Sequence, residues 1–455
     1  MLKSNYSSHL YGFTDMKSLN ERGPIIISHG KGIYVYDIHN KKYLDANSGL
    51  WNSCAGFDHP GIIEVAQKQY AKFGGYHSLF GRLSEETIQL SEKIIEVSPF
   101  NEGKVFFCNS GSEANDTTVK MLWMLNKRRG HPKKRKIITR INAYHGVTLG
   151  ASSMTGKSYI EEFGMPLADF IHADCPHFWK FGLPNESEED FSKRMAKNLE
   201  DLILKEDADT IAGFFAEPVM GAGGVIPPSE GYFDLIQPIL KKYSIPFIAD
   251  EVICGFGRTG NLWGSDTYNL KPDIIISSKC LTAGYFPMGA VIVNKDFADD
   301  FTSVSEEAEE FPHGFTSGGH PVGCAIALKA IDVIINEGLL DNVKSISPYF
   351  HQRLNEFNEK ETITIEPLKT FPVIKDLVTD VSWNYEQNKK IKPFSPKPRE
   401  KDGNHYMMQR DVDRIQEFRK CIECYLCQNV CHVIRDQEAK EKFVGPRFMI
   451  RLASL

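Results

Sequence analysis

Short apolar runs, each followed by a small or polar turn and then by a stretch of helical spacing, dominate the chain from about residue 105 to 293. Residues 105–108 (VFFC) read as a buried strand, followed by Asn-Ser-Gly-Ser and a helix through Leu125. Further strands are predicted at 136–141, 211–216, 246–249 and 273–276. Fully apolar runs of this length suit strands covered on both faces, and their alternation with helices predicts a mostly parallel α/β sheet. Ligands in such sheets sit outside the carboxyl ends of the strands, so the residues after each strand are where chemistry is expected.

After about residue 361 the texture changes. Residues 389–401 (KKIKPFSPKPREK) read as an extended, solvated connector, and a helix predicted over 411–420 leads into a run of cysteines. The 455 residues allow two or three domains, and 42% hydrophobic with 25% charged residues is globular composition. The balance 53 − 59 = −6 gives no electrostatic reason to expect nucleic acid or an anionic membrane as partner. The first residues are polar, and the longest apolar runs fall far short of the ~18 residues of a membrane span. A cytoplasmic protein with no membrane span is therefore expected. Of ten cysteines, six are scattered, whereas Cys421, Cys424, Cys427 and Cys431 crowd together, which favours a metal or cluster motif over a disulfide framework.

Three segments that follow strands carry complementary chemistry. Ser110-Gly111-Ser112 opens a helix, where free N–H groups and the positive end of the dipole suit a phosphate; the same residues also suit an ordinary N-cap. Asp250 ends or follows a buried strand, where a carboxylate needs a cation or a donor, such as a protonated ring nitrogen. Lys279 follows another apolar strand, where desolvation would turn it towards a nucleophilic amine; a surface lysine with its ammonium in water is the alternative. A phosphate cradle, an acid for a ring nitrogen and an amine for an aldehyde together match the needs of pyridoxal phosphate.

The motifs VYDIHNKKYLDANSGLW (35–51), FFCNSGSEAND (106–116), AYHG (143–146), AEPVMGAGG (216–224), IADEVICGFGRTG (248–260), SSKCLTAGYFPMGAV (277–291) and FTSGGHPVGCA (315–325) stand in order along the chain. Over about 25–355 the sequence resembles a class III aminotransferase, a pyridoxal-phosphate enzyme of fold type I. The resemblance implies that Lys279 binds the cofactor covalently and moves the substrate proton, while Asp250 keeps the ring nitrogen protonated. It places Tyr144 and Val252 on the two ring faces, Gly111 and Ser112 at the phosphate, Glu217 beside the cofactor and Thr316 at the phosphate of a neighbouring subunit in a homodimer. Trp51, Tyr76 and Phe80 are candidate walls of the substrate pocket or ordinary core aromatics, and His145 is either a partner of Asp250 or a structural histidine. The implied reaction is transamination between an amine or ω-amino acid and a keto acid such as pyruvate.

The cysteines follow the pattern C-x2-C-x2-C-x3-C, whose thiolates can ligate an iron–sulfur cluster. Residues 362–455 resemble a fragment of the iron–sulfur subunit of succinate dehydrogenase or fumarate reductase, through ITIEPLKTFPVIKDLVTDVSWNYE (363–386), DVDRIQEFRKCIECYLCQNVCHVIRD (411–436) and GPRFMIRLA (445–453). Cys421, Cys424 and Cys427 would supply three ligands of a four-iron cluster, and Cys431 one ligand of another. The expected organisation is an N-terminal segment (1–60) belonging to the small domain, a cofactor-binding large domain (61–335), the start of a truncated small domain (336–361) and a mainly helical, ferredoxin-like fragment (362–455). Truncation near 361/362 would bare apolar surface on the helix predicted over 341–360. An electron-transfer fragment and an inactive hybrid of the two families are the alternatives to an aminotransferase.

Overall fold

The computed structural model describes residues 8–360, 373–375, 378–379 and 401–402. The chain divides into two units, Met1–Tyr349 and Phe350–Leu455. In the first, β1 (Ile27–Lys31), β2 (Tyr34–Asp37) and β3 (Lys42–Leu44) form a small antiparallel meander. The main sheet has seven strands: β4 (Gly103–Cys108), β5 (Lys136–Arg140), β6 (Phe170–Ala173), β7 (Ile211–Ala216), β8 (Phe247–Asp250), β9 (Ile274–Ser277) and β10 (Gly289–Asn294). Their order is β4-β10-β9-β8-β7-β5-β6, with β10 antiparallel to both of its neighbours and the remaining pairs parallel.

The helices follow the apolar periodicity: α1 (Pro60–Lys72), α2 (Glu85–Val97), α3 (Gly111–Arg128), α4 (Glu188–Glu206), α5 (Tyr232–Lys242), α6 (Lys295–Glu307), α7 (Pro321–Asn336) and α8 (Leu339–Lys360). Adjacent strand residues point into different clusters. Phe214 and Ile275 pack with α2, α4, α5 and α7, whereas Phe215, Ile274 and Ile276 pack with α3 and α6. Both faces of the sheet are thus covered, which is why its strands read as unbroken apolar runs.

In the main sheet, two strands are additional to the five that the apolar runs predict. β6 (FIHA) is too short and mixed to stand out, and β10 reverses direction, a property of register that no local pattern encodes. Strand ends also shift: Asp250 is the last residue of β8 rather than the first after it. The helix predicted through Leu125 continues to Arg128, where Lys127 and Arg128 complement its negative end. On α8, Ile346 and Tyr349 are exposed. Cys421, Cys424, Cys427, Cys431 and the helix expected over 411–420 lie outside the described residues. Among the described residues no helix is long and apolar enough to cross a membrane.

Candidate active site

A cleft of about 200 Å³ opens at the carboxyl ends of the central strands. It is lined by Ser110, Gly111 and Ser112 from the start of α3, by Tyr144, His145 and Gly146 after β5, by Glu217 after β7, by Asp250, Val252 and Ile253 from β8 and its turn, and by Ser278 and Lys279 after β9. Six of the expected residues, Gly111, Ser112, Tyr144, Glu217, Asp250 and Val252, therefore meet Lys279 in one place.

At the start of α3 the cap and the cleft-facing hydroxyl are different serines. Ser110 is the N-cap: its hydroxyl accepts the Glu113 N–H at 3.2 Å, and Glu113 in return accepts the Asn109 N–H at 2.6 Å. Ser112 faces the cleft. Its oxygen accepts the Val147 N–H at 3.1 Å, leaving its own proton to donate. Gly111 has to be glycine, since a Cβ there would lie 2.7 Å from Cγ2 of Val252. The N–H groups of this first turn are those the helix itself leaves unused.

Asp250 is buried and held from three sides. Its Oδ2 accepts Asn115 Nδ2 at 3.1 Å and lies 2.7 Å from His145 Nδ1, while its Oδ1 accepts the Val252 N–H at 3.1 Å. His145 is thus a partner of Asp250, with its other ring nitrogen buried and without a protein partner. Asn115 lies in the FFCNSGSEAND motif, where the sequence predicts no role for it. Its amide also donates to the carbonyls of Gly111 (3.2 Å) and His145 (2.8 Å), tying the phosphate turn to the acid. The signal that marks it is its position four residues after Gly111, on the same helix face. Glu217 accepts the N–H of Tyr144 at 3.0 Å and that of Gly221 at 2.9 Å. Burial pushes the Glu217 carboxyl and the Tyr144 phenol up.

Lys279 is half-buried and sits at φ 45°, a left-handed conformation that costs energy for any residue with a Cβ. Ser278 secures the turn by donating to Met288 O at 2.7 Å, and Thr282 donates to Phe286 O at 2.6 Å. Burial lowers the Lys279 ammonium against the opposing pull of Asp250 and Glu217. This is the environment of a reactive amine, and the surface-lysine alternative does not hold. The indole of Trp51 lies over the ammonium, 5.9 Å from Nζ to the ring centroid.

Tyr76, Phe80 and Thr316 are not among the residues that line this cleft. Phe80 is 83% and Tyr76 42% exposed, which excludes the core alternative for both. Ser78 donates to Gly318 O at 2.6 Å, so the segment carrying Tyr76 and Phe80 is stitched to the loop carrying exposed Thr316. A pocket wall has to be apolar in one place, and sequence spacing alone does not say which surface an exposed aromatic shares.

Pyridoxal phosphate fits these residues. The cleft pairs an anion-binding helix start with a buried, triply held carboxylate and a desolvated amine, and Gly111 leaves room where a side chain would intrude. Residues 17–369 match the family model for aminotransferase class-III, and the chain belongs to that family. The match runs past the 361/362 boundary read from the sequence.

Among solved structures, the chain is 59% identical to a PLP-bound aminotransferase mutant from Vibrio fluvialis, with a TM-score of 0.77 and 78% of each chain covered. It is 62% identical to an omega-aminotransferase from Paracoccus denitrificans, with a TM-score of 0.76 over 77% of this chain and 78% of that one. The fold is that of the fold type I pyridoxal-phosphate aminotransferases. A curated relative, gamma aminobutyrate transaminase 1, mitochondrial, of Solanum lycopersicum, is 47% identical over 342 residues, which is 75% of this chain and 66% of the relative. The chain thus spans about two thirds of that relative's length.

Proposed function

We propose that the chain is a pyridoxal-phosphate-dependent aminotransferase that moves nitrogen between an amine or ω-amino acid and a keto acid such as pyruvate. The observation that carries the reading is the meeting of Lys279, Asp250 and the start of α3 in one cleft. The names of the relatives, γ-aminobutyrate transaminases and ω-aminotransferases, support a substrate whose amine is distant from any carboxylate.

When bound, the cofactor supplies an electron-withdrawing ring on which an amine is exchanged for a carbonyl. Ser112 and the N–H groups opening α3 would bind its phosphate. Asp250 would hold a proton at the ring nitrogen, and its hydrogen bonds with Asn115, His145 and Val252 N keep it aimed. Tyr144 and Val252 would flank the ring, and Glu217, braced by two backbone N–H groups, would stand beside it. Lys279, with its ammonium lowered by burial, would hold the cofactor and then carry a proton to and from the substrate carbon. Trp51 would cover the amine and exclude water.

The exposure of Thr316, Tyr76 and Phe80 on adjoining segments supports a homodimer in which they complete a neighbour's site. For residues 362–455 the iron–sulfur reading rests on the cysteine spacing, and iron and sulfide content of the purified protein tests it.

The experiment on the main reading is a visible spectrum with added pyridoxal phosphate, taken beside Lys279→Ala, followed by amine–pyruvate turnover. A visible band in the wild type that the variant lacks is the expected result. Folded protein with neither band nor turnover would refute the reading.

A further inference from the structure

Arg140, the last residue of β5, is among the largest side chains sealed in the interior, at 1% exposed. Among the described residues it forms no ion pair. One guanidinium nitrogen donates to Glu217 O at 2.6 Å, the guanidinium carbon lies 5.8 Å from the ring centroid of Phe233, and Nε is buried without a protein partner. A sealed cation so sparsely partnered costs the fold, and such breaches of the burial rules are expected where function requires them. Around it, the turns after the neighbouring strands β5 and β7 are joined twice. The first tie is the Arg140 guanidinium on the Glu217 carbonyl; the second is Glu217 Oε1, which accepts the Tyr144 N–H at 3.0 Å. The Arg140 carbonyl also accepts the Ala143 N–H at 3.1 Å, closing the turn that carries Tyr144. Pro218 follows Glu217 and has no N–H with which to fix the second turn, so a side chain has to supply that hold.

We infer that Arg140 is a positioning residue for amine transfer, clamping the Glu217 carbonyl so that the Glu217 carboxylate and Tyr144 stay aimed at the cofactor ring. The inference rests on the reading of the cleft as a pyridoxal-phosphate site. Arg140 is not among the residues that line the cleft, so it acts through Glu217. A guanidinium suits the task because a charged donor makes the stronger hydrogen bond and keeps its proton at every working pH. Its charge has a second use. Burial pushes the Glu217 carboxyl up, and Arg140 is among the charges that oppose the push. The Gly221 N–H, which Glu217 Oε2 accepts at 2.9 Å, extends the clamp along the second turn.

The test compares the full chain with its Arg140→Met variant, first without cofactor. Methionine replaces a buried charge by an apolar chain, a change that folds often tolerate. Hydrogen exchange resolved to single amides should quicken about 10–100-fold at the Tyr144 and Gly221 N–H groups, the equivalent of one hydrogen bond to a charged group. The Val252 N–H, held by Asp250 at 3.1 Å, should keep its rate, whereas a general loosening of the fold would quicken all three. With pyridoxal phosphate added, the visible circular dichroism of the bound ring should change, and kcat with amine and pyruvate should fall while amine KM stays. Combined with Glu217→Gln, Arg140→Met should cost little beyond Glu217→Gln alone, because both break the same tie. Arg140→Lys, which keeps a charge and a donor, should lie between wild type and Arg140→Met, and it carries the test if the methionine variant does not fold. Unchanged exchange at Tyr144 and Gly221, or losses in kcat that multiply in the double variant, would overturn the inference. A wild type with no visible band would refute the cofactor reading instead, and the exchange result stands apart from it.

Discussion

His145 Nδ1 lies 2.7 Å from Oδ2 of Asp250, with both side chains sealed from solvent. The contact fixes the tautomer, since Nδ1 must carry the proton that the carboxylate accepts. His145→Ala removes a hydrogen bond to a charged group, an interaction of about 1.5–3 kcal/mol. A fall in kcat of about 10–100-fold is expected, with little change in amine KM. Steady-state kinetics with an amine donor and pyruvate check it, and an unchanged kcat would assign His145 a purely structural part.

Gly111 and Val252 are fitted to one another across the cleft. A Cβ in Gly111→Ala would meet Val252 Cγ2 at 2.7 Å, and overpacking of this kind costs about 1–3 kcal/mol. Cofactor affinity should fall, and Gly111→Ala with Val252→Ala should recover much of the loss. Titration of the visible band against added pyridoxal phosphate measures both; a double variant as weak as the single would show that the collision is not the cause.

Glu251, next to the proposed ring-nitrogen acid, has a different task. Its carboxylate accepts Ser265 N and Oγ at 2.6 Å each and Gly264 N at 3.0 Å, yet burial outweighs these bonds and raises its pKa to about 7. A carboxyl raised above its unfolded value of 4.5 makes the folded state hold the extra proton, so stability falls as pH rises from 4.5 to about 7. The amount is about 3 kcal/mol as an order of magnitude. Glu251→Gln should start less stable, because its amide meets backbone donors, but should lose this slope. Urea unfolding across the pH range distinguishes the two.

His313 pins the loop that presents Thr316. Thr117 Oγ1 donates to Glu113 O at 2.7 Å and so accepts from His313 Nε2 at 2.9 Å, which leaves Nδ1 to accept from the Lys120 ammonium at 2.9 Å. Burial, then Lys120, lowers this histidine to about 4. With the folded pKa below the unfolded one, the latch contributes fully above about 6.5 and weakens as pH falls towards 4. His313→Phe should abolish that part of the acid sensitivity and weaken cofactor retention in the proposed dimer. Melting temperatures and cofactor release rates from pH 7 to 4 provide the comparison.

Much of the site was legible from residue types alone. Lys279 and the Ser-Gly-Ser turn follow apolar strands and Asp250 ends one, and in a parallel sheet that position brings them to one edge whatever the details of packing. The apolar runs determined five strands and the covering of both sheet faces, because burial requires them. What the tertiary structure decided is what depends on register and on pairs distant in sequence. The reversal of β10 sets Gly289 against the Ser110 carbonyl, and no local pattern specifies strand direction. Asn115 became a brace of Asp250 only when α3 lay across β8. Tyr76 and Phe80 read as pocket or core, and packing placed them on an exposed face beside Thr316. Side-chain chemistry and periodicity are local and survive in one dimension; the partner of each charged or reactive group is chosen by packing, which exists only in three.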